Sequence, residues 1–308
     1  MKSVRLLLAF SAALGLLFFP AFAQGTPPAP DVATELQSLV DRIQAKLKAG
    51  TTAESAFGPE LAEFDALLTR HKTEKTEDVA HILVMKAMLY VQVFENTEKG
   101  LALIRQLKAD FPATEPGRNA ERLIESIEAR TKAATVQAGL VGQPAPGLNF
   151  TWTSRPGLKS LADLKGKVVV LDFFATWCGP CIRSFPQIAE VVSHYQGYDV
   201  EVIGVTSLQG RVSNLEAQEI DCKGDPAKET GLMPAFMKAR NMTWTVAFSA
   251  QEVFNPDYAI EGIPFMVILA PDGTIRHTGL HPAMPHEEKL EKIDAILKEF
   301  KLKVPART

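Results

Sequence analysis

An apolar segment that runs into a pair of closely spaced cysteines constrains the fold of this chain more than any other feature. Residues 167–174 are mostly large and apolar, as in a strand covered on both faces, and residues 181–196 carry apolar side chains at helical spacing. The sequence between them is Trp177-Cys178-Gly179-Pro180-Cys181. A helix N-terminus at this point carries partial positive charge and favours a thiolate at Cys178. The junction therefore predicts reversible thiol-disulfide chemistry.

Two other uses of a cysteine pair at this spacing are an inert structural disulfide and half of a zinc site. Zinc needs four ligands, and the third and last cysteine, Cys222, stands alone. We therefore expect no metal, and no cofactor beyond a redox-active disulfide between Cys178 and Cys181.

The first 23 residues have the pattern of a cleavable export signal. Lys2 and Arg5 precede an apolar run over residues 6–19, and Ala21-Phe22-Ala23 is a small-x-small cleavage site. The run is shorter than the roughly 20 residues that span a bilayer. We expect export to a bacterial periplasm, an oxidising compartment in which few cysteines and one close pair indicate catalysis.

The length of the chain allows two domains, and its net charge argues against polyanionic partners. The 308-residue chain has a net charge of −3 at pH 7, which gives no electrostatic basis for binding nucleic acid or anionic lipid. Breaks at residues 24–30 and 136–148 separate a helical domain, residues 31–135, from a second domain, residues 143–303.

The helical domain contains a stretch, residues 76–132, that resembles a tetratricopeptide-like hairpin. Its pattern predicts helices over residues 79–94 and 118–132, with a turn and a further helix between them. A single copy is weak support, because such arrays need about three repeats. A plain helical bundle that packs on the second domain or dimerises is the alternative to a protein-docking surface, and the oligomeric state stays open.

Strands and helices alternate in the second domain. The cysteine-bearing helix lies between strands 167–174 and 199–207, a βαβ unit whose strands should be parallel. Strands 265–270 and 275–279 flank Pro271-Asp272-Gly273, a hairpin turn, and a last helix follows.

Three segments carry a resemblance to a known family. They are VVVLDFFATWCGPCIRSFP at residues 168–186, Gly262-Ile263-Pro264, and APDG at residues 270–273. The chain resembles thioredoxin-fold proteins, and within them the exported TlpA/ResA group of thiol-disulfide oxidoreductases. The resemblance implies an α/β thioredoxin fold, with a central mixed sheet flanked by helices, preceded by an all-helical domain. Part of residues 208–257 would be an insertion.

The resemblance also implies catalytic roles. Cys178, exposed at the helix start, would attack the substrate disulfide, and Cys181 would resolve the mixed disulfide. Asp172 takes the place of a buried acid whose raised pKa lets it accept a proton from Cys181. An idle aspartate is the alternative, because thioredoxins pair this acid with a lysine and residues 198–207 contain none. Ser184 stands where the TlpA/ResA group commonly has a second acid.

Five residues are expected to bind substrate, namely Trp177, Gly179, Pro180, Ile263 and Pro264. Pro264 matches the family's cis-proline, which presents the Ile263 backbone to an extended substrate and keeps metal away from the thiolates. Trp177 is either part of this docking surface or a plain core aromatic. Pro180 tolerates the first helical turn, where its missing donor is not needed.

Four further residues are expected to be passive. Cys222, in the predicted insertion, is interpreted as a free thiol, with redox regulation or pairing between chains as alternatives. The three neighbouring histidines, interpreted as solvated loop residues, are His277, His281 and His286.

The function implied by the resemblance is a periplasmic reductant of protein disulfides. Gly179-Pro180 is the thioredoxin dipeptide, and thioredoxin has a potential of about −270 mV. Electrons would come from a membrane donor of the DsbD/CcdA kind, and clients would be apocytochrome c or copper-site assembly proteins. Alternatives are a Sco-like copper chaperone, which would need CxxxC and a distal histidine, and an interaction scaffold acting through the helical domain. A peroxiredoxin is excluded, because the PxxxTxxC pattern is missing.

Overall fold

The computed structural model describes residues 31–306, so the predicted export signal at residues 1–23 lies outside the described part of the chain. Two compact units divide between Thr131 and Lys132. Within residues 31–306, no helix has both the length and the apolar character needed to cross a membrane.

The first unit is helical. Its helices are α1 (Val32–Lys48), α2 (Gly58–Arg70), α3 (Glu77–Gln92), α4 (Thr97–Asp110) and the start of α5 (Glu115–Leu140). Three begin at side-chain caps, because Asp31, Thr76 and Asn96 each accept a backbone N–H from the first turn. Their apolar sides form one core that includes Leu39, Phe57 and Ile104, so this all-helical part of the predicted fold is confirmed.

Helix α5 is longer at both ends than the sequence pattern suggested. The predicted helix over residues 118–132 and the break over residues 136–148 are therefore wrong at their edges, because α5 runs from Glu115 to Leu140. Pro116 occupies the first turn, where no intrahelical donor is required. The chain turns at Gly142, whose φ of 83° is in the left-handed region and whose N–H donates to the Ile275 carbonyl at 2.7 Å.

The second unit is built on a six-stranded mixed sheet with strand order β1-β6-β3-β2-β7-β8. The strands are β1 (Phe150–Thr153), β2 (Val168–Phe173), β3 (Val200–Thr206), β6 (Thr245–Ser249), β7 (Phe265–Leu269) and β8 (Ile275–Leu280). The helices of this unit are α6 (Gly179–His194), α7 (Pro226–Ala239) and α8 (His286–Glu299).

The predicted supersecondary units are both present. Strands β2 and β3 are parallel and joined by α6, whereas β7 and β8 form an antiparallel hairpin that turns at Gly273, with φ 89°. A βαβ unit and a ββα unit sharing one mixed sheet make the thioredoxin fold, so the predicted fold class is confirmed.

Alternating side chains of β2 pack into two hydrophobic cores, one on each face of the sheet. Val168 and Val170 pack with residues of α6, α7 and α8 on one face of the sheet. Leu171 and Phe173 pack on the other face in a second core that includes Tyr258 and, at its edge, Leu140 at the end of α5. Asp172 shares the face of Val168 and Val170, so its carboxyl points into the helix-covered layer.

Residues 208–257 contain a separate two-stranded sheet, a helix and one strand of the six-stranded sheet. A short hairpin joins β4 (Arg211–Val212) and β5 (Ile220–Asp221), and α7 then leads to β6, which pairs in parallel with β3. Helix α7 begins at Pro226, because the Asp225 side chain accepts the Lys228 N–H and Pro226 fits the first turn.

The start of α5 yields a prediction about stability. A Cβ at Gly117 would lie 1.8 Å from the Phe111 carbonyl oxygen, whereas nothing lies within 4 Å of a Cβ at Gly139 on the same helix. Gly117→Ala should lower the free energy of unfolding by about 2 kcal/mol or more, because backbone must move to admit the methyl group. Gly139→Ala should raise it by up to about 1 kcal/mol. Denaturant unfolding followed by far-ultraviolet circular dichroism measures both, and equal effects would contradict the predicted clash.

Candidate active site

Cys178 is the N-cap residue of α6. Its Sγ accepts the backbone N–H of Cys181 at 3.2 Å, while its carbonyl accepts the Ile182 N–H at 3.1 Å. A sulfur in this position faces the unpaired donors and the positive end of the helix. The same environment favours a thiolate once the pair is reduced.

Cys178 and Cys181 are brought together as the sequence predicts. Their sulfurs are 1.97 Å apart and their Cα atoms 5.3 Å apart, which is a disulfide bond. The expectation that Cys178 is exposed is wrong for this oxidised state, in which it is 3% exposed and Cys181 is fully buried. The reason is that the N-cap side chain folds back over the helix start, and its Sγ lies 3.8 Å from the Ile263 carbonyl oxygen.

The two residues between the cysteines leave the helix start open. Pro180 is exposed and occupies the second position of α6. A Cβ at Gly179 would meet only the Arg183 guanidinium, at 3.4 Å. An approaching backbone can therefore reach this turn at Gly179, which has no side chain to block it.

The Ile263–Pro264 peptide bond is cis, as the sequence predicts. Both residues are half-buried and immediately precede β7, the neighbour of β2. This geometry places the Ile263 carbonyl beside Cys178, and with it a backbone edge to which an extended chain could pair.

Asp172 is buried in the centre of the sheet. It pairs in register with Gly204 of β3 and Met266 of β7, and it is 1% exposed. No described residue donates a hydrogen bond to either of its carboxyl oxygens. Desolvation raises the pKa of Asp172 to about 8, against a smaller opposing effect of the Lys289 charge. The carboxyl is thus protonated at neutral pH and lies on the sheet face whose core contains both cysteines.

The sequence analysis missed Lys289 of α8, the lysine that acts on Asp172. Lys289 is 1% exposed, and its Nζ donates to the Pro282 carbonyl at 2.6 Å and the Gln187 carbonyl at 3.4 Å. Strand β3 contains no lysine, and the fold supplies one from the last helix instead. A signal was present, because Lys289 lies four residues before Ile293 on the apolar side of α8.

The position of the missing second acid is filled by a buried hydroxyl. Ser184 is 1% exposed, and its Oγ donates to the Cys181 carbonyl oxygen at 2.8 Å. Ser184 therefore closes a local hydrogen bond within α6 and adds no charge near the cysteines.

Trp177, the residue before Cys178, is half-buried. Its burial is intermediate between that of an exposed docking residue and that of a core aromatic. Its indole N–H donates to the Gln209 side chain at 3.1 Å, and its ring stacks on Phe254 with centroids 6.2 Å apart and planes inclined at 24°. The preceding residue, Thr176, is held by the Ser213 N–H and the Asn214 amide. These partners follow β3, β4 and β6 in the chain and were not predicted from the sequence.

The remaining candidates are set apart from this geometry. Cys222 is a free, buried thiol, and burial raises its pKa, consistent with a passive role. The interpretation of the histidines as loop residues is wrong for His277, half-buried on β8, and for His286, which begins α8. Among residues 31–306, no group of three or more His, Cys, Asp or Glu side chains is arranged to hold a metal ion.

Sequence comparison places this site in a known family. A profile of the redoxin family matches residues 140–297, more than half of the chain and all of the site described above. The chain belongs to the redoxin family. The predicted resemblance to the TlpA/ResA type is thereby confirmed, since several matched relatives are ResA proteins.

Two relatives and one solved structure describe the similarity to the redoxin domain. Thiol-disulfide oxidoreductase ResA of Bacillus subtilis is 26% identical over 135 residues, which are 44% of this chain and 64% of that protein. The protein of the same name from Oceanobacillus iheyensis is 38% identical over 138 residues, 44% of this chain and 62% of that protein. The crystal structure of a thiol-disulfide isomerase from Corynebacterium glutamicum is 20% identical, with a TM-score of 0.38, covering 50% of this chain and 95% of the other. The chain thus spans somewhat less than two thirds of these two relatives.

The buried Asp172 carboxyl should make the stability of the redoxin domain depend on pH. The unfolded chain releases this proton near pH 4 and the folded chain near pH 8, so wild-type stability falls as the pH rises between them. Asp172→Asn removes the effect. The free energy of unfolding of Asp172→Asn minus that of the wild type should therefore increase by about 1.4 kcal/mol per pH unit between pH 5 and 8.

Denaturant unfolding of the oxidised protein, followed by tryptophan fluorescence, measures this difference, because all three tryptophans lie in the second unit. Asp163→Asn is the control. Backbone N–H groups of Lys159 and Ser160 lower the pKa of Asp163, so its variant should differ from the wild type by a constant amount over this range. A constant difference for Asp172→Asn as well would rule out a carboxyl that is protonated at neutral pH.

Proposed function

We propose that this protein is a thiol-disulfide oxidoreductase that reduces disulfides in client proteins with the Cys178/Cys181 dithiol. The observation that carries the proposal is the N-cap position of Cys178, with its Sγ on the Cys181 N–H and within bonding distance of a second sulfur. Membership of the redoxin family and the names of the ResA relatives support it.

Two exchange steps move two electrons to the client. The Cys178 thiolate attacks one sulfur of the client disulfide, which forms a mixed disulfide and expels the other client sulfur as a thiolate. The Cys181 thiolate then attacks Cys178 Sγ, closes the Cys178–Cys181 disulfide and releases the second client thiolate. The client gains two electrons, and the protein is oxidised.

Asp172 is proposed to take the proton that Cys181 must lose before the second step. Burial and a location on the same sheet face as the cysteines support this role. With a pKa of about 8, the ionised minority of Asp172 at neutral pH accepts the proton, and this fraction grows as the pH approaches 8. Lys289 is proposed as a positioning residue, because its charge favours the ionised form of Asp172, which is the form that can accept the proton. Lys289 is thus proposed as the lysine partner of Asp172 that residues 198–207 do not supply.

Client binding is proposed to use the backbone at Ile263 and Pro264 together with the open helix start at Gly179 and Pro180. An extended client segment would pair with the Ile263 backbone and so bring its disulfide to Cys178. Trp177 would contact side chains of the same segment.

The cellular setting is also a proposal. We infer export to the periplasm from the pattern of residues 1–23, and a reducing direction from the Gly179-Pro180 dipeptide. In an oxidising compartment the disulfide must be reduced again by a dithiol donor, for which a membrane protein of the DsbD/CcdA kind is the candidate. Cytochrome c and copper-site maturation proteins are the candidate clients.

The helical unit is proposed to be tetratricopeptide-like. In support, α3 and α4 pack closely enough that a Cβ at Gly100 would lie 2.3 Å from Val91 Cγ2 and 3.1 Å from the Ala87 carbonyl oxygen. Such close helix pairs are typical of helical repeats, and a unit of this kind would serve to bind a partner protein.

Single cysteine replacements test the proposal. Cys178→Ser should abolish the acceleration of insulin reduction by dithiothreitol over the rate without protein, because the attacking sulfur is lost. Cys181→Ser should also lose the acceleration. Mixed with insulin after dithiothreitol is removed, reduced Cys181→Ser should accumulate a mixed disulfide, which non-reducing electrophoresis detects, because no second protein sulfur resolves it. Cys222→Ser is the matched control and should keep full activity.

Two outcomes would overturn the proposed function. Full activity of Cys178→Ser would mean that the cysteine pair is not the reacting group. Stoichiometric Cu(I) binding by a wild-type protein that fails to reduce insulin would favour the copper chaperone.

A further inference from the structure

An aromatic surface adjoins the reacting sulfur. Trp177, the residue before Cys178, stacks on Phe254, and the Arg211 guanidinium lies 5.8 Å from the indole centroid. Phe254 is 41% exposed although it is a large apolar side chain. Trp177, Phe254 and Arg211 come from three separate segments, so the fold assembles this surface beside the cysteine.

A second exposed apolar side chain, Leu208, lies on a segment that is hydrogen-bonded to the segment of Phe254. Leu208, 43% exposed, and Phe254 are two of the four exposed large hydrophobic side chains within residues 31–306. Their segments are joined at Ser207, whose Oγ accepts the Val253 N–H at 3.0 Å. Half of the exposed apolar side chains of this size therefore lie on the two joined segments that supply the Trp177 partners Gln209 and Phe254, as expected of a surface that binds a partner.

A buried carboxylate fixes the loop that holds Trp177. Glu229 of α7 is 3% exposed, and its two oxygens accept the backbone N–H groups of Gln209 and Gly210 at 2.7 and 2.8 Å. The Gln209 side chain in turn accepts the Trp177 indole N–H. Glu229 thus acts on Trp177 through Gln209, and a surface held in place before binding loses less conformational entropy when a client docks.

We propose that Trp177, Phe254 and Arg211 select client disulfides whose cysteine is flanked by an aromatic or large apolar residue, with Glu229 as a positioning residue. This inference rests on the proposed reduction of client disulfides. Adjacent residues are about 3.8 Å apart along a chain. In the mixed disulfide, the residue next to the client cysteine is therefore as close to that cysteine as Trp177 is to Cys178.

The chemistry of the surface identifies the kind of side chain that fits. Aromatic side chains gain from stacking on the Trp177–Phe254 pair beyond the burial of apolar area. A guanidinium over the indole adds attraction for an aromatic ring and repels a lysine or arginine at the same place. The selected client segment is thus apolar and lacks positive charge beside its cysteine.

Matched peptides test the inference. Three peptides differ only in a Phe, Ser or Lys next to the single cysteine, and each carries 5-thio-2-nitrobenzoate in a mixed disulfide. This aryl thiol has the lower pKa and leaves when the reduced protein attacks the peptide sulfur, so its absorbance reports the reaction. We expect a KM about five- to tenfold lower for the Phe peptide than for the Ser peptide, and a higher KM for the Lys peptide.

Three variants locate the selectivity. Phe254→Ala should reduce the Phe-over-Ser preference to less than about twofold, whereas Val141→Ala, at a residue 46% exposed, is the control and should keep it. Glu229→Gln should narrow the preference through KM for the Phe peptide rather than through kcat, because it moves Trp177 and leaves the sulfurs in place.

The outcomes separate the two proposals. Equal KM values for the Phe and Ser peptides in the wild type, or an undiminished preference in Phe254→Ala, would overturn the inference while leaving the exchange chemistry intact. If the wild type released the aryl thiol from none of the peptides, the proposed function itself would fail.

Discussion

The site depends on one hydrogen bond, from the Cys181 backbone N–H to the Sγ of Cys178 at the N-cap of α6. It fixes which sulfur meets the positive end of the helix and which is enclosed one turn further on. The helix itself is fixed by β2, whose alternating side chains pack on both faces of the sheet. From this arrangement follow a thiolate-favouring position for Cys178 and a buried position for Cys181.

A second constraint is the placement of ionisable groups under the helices. Asp172 and Lys289 are both almost completely buried, and each comes from a different part of the chain. Burial favours the neutral carboxyl, and the lysine charge partly offsets this, so the pKa of Asp172 lies near neutrality rather than far above it. A carboxyl of this kind destabilises the folded protein at high pH, a cost that proteins typically accept at functional sites.

The sequence predicted local features well and long-range partners poorly. The apolar strand, the cysteine spacing and Gly262-Ile263-Pro264 located β2, α6 and the cis-proline, because each signal lies within a few adjacent residues. Lys289, Gln209 and Phe254 were missed, since their contacts with Asp172 and Trp177 arise from tertiary packing across large sequence separations. The exposure of Cys178 was misjudged because an N-cap side chain folds back onto its own helix.

The pKa of Cys178 in the reduced protein tests the central claim most directly. Its rate of alkylation by iodoacetamide as a function of pH, followed by peptide mass mapping, separates the cysteines, and the denatured chain provides the reference. We predict a midpoint below the ordinary cysteine pKa of about 8.5 for Cys178, with Cys181 unmodified over the same period. A midpoint at or above that of the denatured chain, or equal modification of both sulfurs, would contradict stabilisation of the Cys178 thiolate by the helix start.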